Sequence, residues 1–227
     1  MNNQSLSASA YQFSNTFFSF ELESILCECV VIYNDIVNQQ IKFPNDEEII
    51  RDGFLRYLKD DNYKNGHFPL YNYHFDKEVK DGLGRLDIRI LPLNPYCGDS
   101  AFYSIECKRL NNTNVNGSSG LNAEYIMNGI CRYVIDYYST HYDTNTMFGF
   151  VVEQMDIDKN INSINGLLPY DYINKQGMTV NANAKHPLQY FDFANGYPYS
   201  YISTHTHISG KEIVLYHLMF DFSNSII

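Results

Sequence analysis

The chain has 227 residues, of which 44% are hydrophobic, 15% aromatic and 19% charged; a chain this apolar buries a core, so composition excludes an intrinsically disordered protein. Its formal charge of −10, from 16 basic and 26 acidic residues, excludes a uniformly basic nucleic-acid coat but not a local phosphate-binding patch. The length suits a single domain, 1–227, rather than two independent cores.

Near the start the longest apolar stretch is Cys29-Val30-Val31-Ile32-Tyr33, far short of the ~20 residues of a membrane-spanning helix. The first basic residue is Lys42, so the N-terminus lacks the basic region of a signal peptide. Cys27, Cys29, Cys97, Cys107 and Cys131 include no CxxC pair. Reduced thiols and a cytoplasmic location are therefore expected, with no zinc site and no disulfide framework.

In chain order, a polar start precedes an amphipathic helix over 21–38, marked by Leu22, Ile25, Leu26, Cys29, Val30, Tyr33, Ile36 and Val37 at steps of three and four. A second helix is expected after Pro44, with Asn45 as its cap and Glu48 completing a loose capping box. It runs through Ile50, Phe54, Tyr57 and Leu58 and stops in the turn Asp60-Asp61-Asn62. Glu47 shares its apolar stripe, whereas Glu48 points off it by about 100°. The period then becomes two. Residues 71–79 and 86–91 alternate on either side of a glycine-bearing turn, the signal of a hairpin, and 102–110 form a third strand. After a polar loop, 111–120, a helix is expected over 122–138. The apolar run 147–152 reads as a buried parallel strand. Beyond it the pattern suggests a helix near 158–168, an element at 199–203 and a strand at 213–220.

Asp87 and Glu106 lie inside strands, and Lys108 shares a strand face with Glu106 while Cys107 points the other way. A charge among strand hydrophobics is costly unless paired or metal-bound. Two carboxylates and an ammonium converging on a sheet suit a hard divalent cation with oxygen ligands. Such a site polarises a phosphodiester, with Lys108 orienting water or steadying charge and Glu47 as a further acid. The alternative for Asp87, Glu106 and Lys108 is a structural ion pair. A second copy of the acid-x-Lys pattern, Glu78-Val79-Lys80, falls at a strand end, where exposed charges are ordinary. His205, His207 and His217 read as polar sheet histidines rather than metal ligands, and Cys107 as a buried apolar residue.

Together, Gly84-Arg85-Leu86-Asp87-Ile88-Arg89-Ile90 and Tyr103-Ser104-Ile105-Glu106-Cys107-Lys108-Arg109-Leu110 resemble the PD-(D/E)XK (restriction-endonuclease-like) nuclease superfamily, whose core order of helix, three strands, helix and strand matches about 45–153. The proline that the family places before its first acid is Leu86 here. The resemblance implies an α/β fold: a restriction-endonuclease-like αβββαβ core with a mixed sheet flanked by helices, an N-terminal helix (21–38) and C-terminal α/β additions (154–227). It implies a nuclease dependent on Mg²⁺ (or Mn²⁺), with Asp87, Glu106 and the Cys107 backbone carbonyl as metal ligands and Lys108 as catalytic lysine. The helix-borne acid would be Glu47 or, second in order, Glu48. Arg109, Tyr125 and Arg132 become candidates for substrate contact. The implied partner is nucleic acid, with DNA ahead of RNA, in restriction or defence.

Charge is unevenly spread: residues 81–140 carry 5 basic and 6 acidic residues, whereas 1–80 carry 7 and 12. The acidic remainder implies modest, salt-sensitive affinity for bare DNA, and with it recruitment by a partner subunit or a restricted substrate; a protein partner or a homo-oligomer is the expected assembly. The alternative function is a non-catalytic nuclease-fold subunit of a larger complex.

Overall fold

The structure, a computed structural model, describes residues 14–81, 84–93, 102–135, 137 and 143–227. A long helix α1 (Ser14–Asn38) leads to α2 (Glu47–Lys59) and α3 (Asp61–Gly66). Strands β1 (Tyr73–Asp81), β2 (Gly84–Pro92) and β3 (Tyr103–Leu110) follow. Then come α4 (Leu121–Tyr125), a π turn (Ile126–Ile130) and α5 (Cys131–Val134), which form one interrupted helix, and β4 (Thr144–Val151). The chain continues through α6 (Ile157–Leu167), the small strands β5 (Tyr172–Ile173) and β6 (Thr179–Val180), and β7 (Ala184–Tyr190), β8 (Ser200–Thr206) and β9 (Glu212–Asp221).

Seven strands form one mixed sheet in the order β1-β2-β3-β4-β9-β8-β7. β4 lies parallel to both β3 and β9, as its unbroken apolar run predicts, and the other neighbours are antiparallel. The C-terminal third is thus no appendage, because β7, β8 and β9 extend the sheet that β1 to β4 begin. Among the described residues no helix is long and apolar enough to cross a membrane. Cys27, Cys29, Cys107 and Cys131 are free, while Cys97 lies outside the described residues.

Helices cover both faces. On one, α1 and α2 bury Leu22, Ile25, Ile50 and Phe54 against Ile88, Ile105, Phe148 and Phe220; on the other, Tyr125, Ile130 and Ile161 pack on Met147, Leu215 and Met219. Phe54 anchors α2, its ring centroid lying 4.9–5.9 Å from those of Phe148, Phe150, Phe220 and Phe222. Since Phe54 shares a stripe with Glu47 and Arg51, this packing also sets where those two side chains point.

Three expectations change in detail. The cap of α2 is Asp46, whose Oδ1 accepts from the Glu48 and Ile49 amides at 2.9 and 3.1 Å. Asn45 is not the cap; its backbone and side-chain oxygens both accept from Arg109 Nη1 at 2.7 Å. Second, α2 stops at Asp60 as expected, but Asp61 and Asn62 are not a plain turn: Asp60 also caps α3, its Oδ1 taking the Asn62 amide at 2.8 Å. Third, the expected continuous helix over 122–138 contains a π turn and ends at Val134, with Ile135 in a turn and Tyr137 outside the helix; residues 136 and 138 lie outside the described residues.

Candidate active site

The β2–β3 ladder supplies the opening. Its paired positions end at Ile88↔Ile105, although both strands run on, so Asp87 and Glu106 stand where the strands part. Beyond this fork the edge of β3 still needs hydrogen-bond acceptors. Two carboxylates provide them: Asp87 Oδ2 accepts from the Cys107 amide at 2.8 Å, and Glu47 Oε2 from the Arg109 amide at 3.0 Å. Side chains from β2 and α2 thereby replace a missing strand.

The remaining lone pairs converge on Lys108. Its Nζ lies 2.8 Å from Glu106 Oε1, 3.1 Å from Glu47 Oε1 and 3.9 Å from Asp87 Oδ2. It also donates to the Cys107 carbonyl at 2.5 Å. Every group named as a ligand from sequence therefore meets at one ammonium. Of the two helix acids, Glu47 reaches the site and Glu48 is exposed.

Glu106 is the most enclosed member, with a side chain 1% exposed. A buried carboxylate is tolerated when paired; its Oε1 also meets Arg132 Nη1 at 2.7 Å. Burial pushes the Glu106 carboxyl up, with Asp87 adding to the rise, while Lys108 and Arg132 oppose it. For Lys108, burial works against the charge, but Glu106, Asp87 and Glu47 outweigh it and raise its pKa. The ammonium is thus held protonated. Burial likewise pushes the Cys107 thiol well up, which fits an apolar core residue and not a nucleophile.

Backbone geometry brings Arg132 here. The π turn contains Gly129, where an added Cβ would collide with the end of Met147 and stand 3.7 Å from Lys108 Cγ. Arg132 then lies with its guanidinium carbon 5.1 Å from the Tyr137 ring centre, and that ring occupies the space a side chain at Gly84 would need. The same turn breaks the two-turn relation expected between Tyr125 and Arg132. Tyr125 is fully buried, its hydroxyl 2.8 Å from His217 Nδ1, so it joins the core and not the mouth of the site. Arg109 anchors the entry to α2 through Asn45.

Sequence reasoning missed Arg51, which bonds Asp87 Oδ1 at 3.2 Å, and read Glu78 only as an exposed strand-end acid, although it reaches Arg51. A signal existed for Arg51: it lies one turn after Glu47 on the apolar stripe. His205 and His217 are buried and hydrogen-bonded within the sheet; His207 lies beyond β8 and contacts Ser209.

Among the described residues no three His, Cys, Asp or Glu side chains stand grouped as ligands for a metal ion; the cation around which Glu47, Asp87 and Glu106 gather is Lys108. The donors are nonetheless all oxygen, three carboxylates and a peptide carbonyl, and that chemistry fits a hard divalent cation. No family model, curated protein or solved structure matches the chain.

Proposed function

We propose that this chain is a metal-dependent nuclease with a restriction-endonuclease-like core, hydrolysing phosphodiester bonds in nucleic acid, with DNA as the first candidate, in the cytoplasm. The observation that carries the reading is the fork: Glu47, Asp87, Glu106 and the Cys107 carbonyl, from a helix and two parting strands, converge on Lys108. A structural ion pair in a sheet needs neither a parted ladder nor acids from three elements.

Glu47, Asp87, Glu106 and the Cys107 carbonyl would hold Mg²⁺ or Mn²⁺, which supplies Lewis acidity toward a phosphodiester oxygen. The chain's own residues do the rest. Lys108, kept protonated by its carboxylates, donates hydrogen bonds to charge building on the phosphoryl oxygens rather than acting as a base. Arg132 steadies Glu106. Arg109 holds the start of α2, and with it Glu47, against β3.

The test compares wild type with Lys108→Ala and Glu106→Gln on linear, circular and single-stranded DNA and on RNA, with Mg²⁺, Mn²⁺ or EDTA. Wild-type cleavage should stop in EDTA, and each variant should lose about 100-fold or more. No cleavage of any polymer by folded wild type with metal would sink the proposal.

One observation favours a second reading, a non-catalytic subunit built on the same fold. The ammonium already satisfies the acids, which is what a purely structural cluster would do. On that reading Mn²⁺ leaves the thermal melt of the wild type unmoved.

A further inference from the structure

Arg51 is a buried cation, its side chain 3% exposed. Its guanidinium faces three carboxylates. Nη1 donates to Asp87 Oδ1 at 3.2 Å; Nε and Nη2 donate to Asp52 Oδ1 at 3.2 and 3.1 Å; Nη2 also reaches Glu78 Oε1 at 3.4 Å. Asp52 is held in turn by Lys77 at 2.5 Å, and Glu78 by Arg85 at 3.3 Å.

Glu78 attains this position through an unusual backbone. Its φ is +53°, the left-handed region that a glutamate rarely adopts. In the β1–β2 ladder it falls between the pairs Lys77↔Ile88 and Val79↔Leu86, across from Asp87. A strained residue facing a site acid, and joined to it through one buried guanidinium, suggests a purpose for the strain.

We infer that Arg51 is the positioning residue of Asp87, resting on the metal-dependent reading above. It fixes Oδ1, so that Oδ2 stays turned to the Cys107 amide and the Lys108 end of the fork. Glu78 and Asp52 hold Arg51 in its own rotamer, and a rigid support of this kind sets ligand affinity for a metal ion.

The sign of the effect separates this role from a structural one. Arg51 is positive, so by charge alone its removal favours a cation at the site. Loss of Asp87's orientation acts the other way. Mn²⁺ titrated calorimetrically into the full chain should bind Arg51→Gln and Arg51→Lys about 10- to 100-fold more weakly than wild type, with the lysine variant showing that retained charge does not restore geometry. Equal or tighter binding by cooperatively melting Arg51→Gln overturns the inference; if that variant does not fold, Arg51→Lys decides by the same criterion. A residue that only staples α2 to the hairpin would lower the melting temperature and leave Mn²⁺ affinity where it was. Should wild type itself bind no Mn²⁺, the metal reading falls and this role with it, whereas binding unchanged by the variants removes this role alone.

Discussion

Buried between β8, β9 and the α4 helix is a chain of polar side chains whose proton positions have one consistent assignment when both imidazoles are neutral, as their burial favours. The Ala182 carbonyl can only accept, so His205 Nδ1–H donates to it at 2.8 Å. His205 Nε2 must then accept from the Ser203 hydroxyl at 2.7 Å, Ser203 Oγ accepts from His217 Nε2–H at 2.7 Å, and His217 Nδ1 accepts from the Tyr125 hydroxyl at 2.8 Å. Both imidazoles are neutral in this arrangement, and a further proton on either would face a donor. Burial accordingly lowers the pKa of both, that of His205 to about 4. The unfolded chain binds protons from about pH 6.5 downward while the folded one refuses them, so stability is complete above that pH and falls as pH drops toward 4. Urea titrations should show a loss of roughly 3 kcal/mol over that window from His205, and His205→Gln should flatten the slope. Ser203→Ala leaves one buried donor and one buried acceptor without their hydroxyl partner, and should cost about 2–4 kcal/mol at pH 7.5. None of this conflicts with the sequence reading of polar sheet histidines, but alternation alone could not reveal that three strand residues and a helix tyrosine form one directional line.

At the level of elements, what was legible followed from strong periodicity. The hairpin, the third strand and the buried parallel strand are where apolar spacing put them, and the first helix ends at 38 as expected but begins at Ser14 and not at 21; each has one face, or both, in the core. Failures came where two local solutions are equally good. Asn45 and Asp46 are both capping residues, and the choice fell to Asp46 because Arg109, distant in sequence, takes up Asn45. A π turn leaves the same apolar residues inward and so has no signature in the spacing; only Gly129, pressed against Met147, hints at the close approach. β7 was unreadable because its residues are mostly exposed and it carries Pro187, which suits an edge strand and breaks the strand signal. In the site, Glu47, Asp87, Glu106 and Lys108 were readable from order and context. Arg51 was passed over, since an arginine on a helix ordinarily reads as solvated, although its place on the apolar stripe marked it. Gly53 provides an element-scale test. Glycine within a helix usually gains about 1 kcal/mol on change to alanine, yet here the new methyl would lie 2.6 Å from the Phe43 ring. Gly53→Ala should therefore destabilise by about 1–3 kcal/mol, read as a lower urea midpoint at constant slope, and disturb the approach to α2.

For the whole molecule, the decisive feature is the place of β9. Its burial is nearly complete along its length, and it joins β4 to β8 in the middle of the sheet. Chains ending before Glu212 should show no cooperative unfolding transition, since both halves of the sheet would be left with an unpaired edge. The natural edges are managed differently. β1 bears Asp76, Lys77, Glu78 and Lys80 with its left-handed break, and β7 has irregular pairing around Pro187, so neither offers a long flat template to another sheet.

Residues just past β9 also pin the segment that leads into α2. The Phe43 amide donates to the Ser225 carbonyl at 2.8 Å, the Ile227 amide returns to Phe43, and the rings of Phe43 and Phe222 meet edge to face at 5.7 Å. On the ribosome this imposes an order of events. Phe43 emerges early and waits on the order of 10–40 s for Ser225 to be added, at 5–20 residues per second. Until then α2, which carries Glu47 and Arg51, has no fixed seat, and β4 has no partner on its far side. The nascent chain is thus expected to carry the components of its fork unassembled until the stretch through Ser225 has been made. Ribosome-bound chains stalled before Glu212 should be cut readily within α2 by added protease, and folded chains that include residues 212–227 should resist.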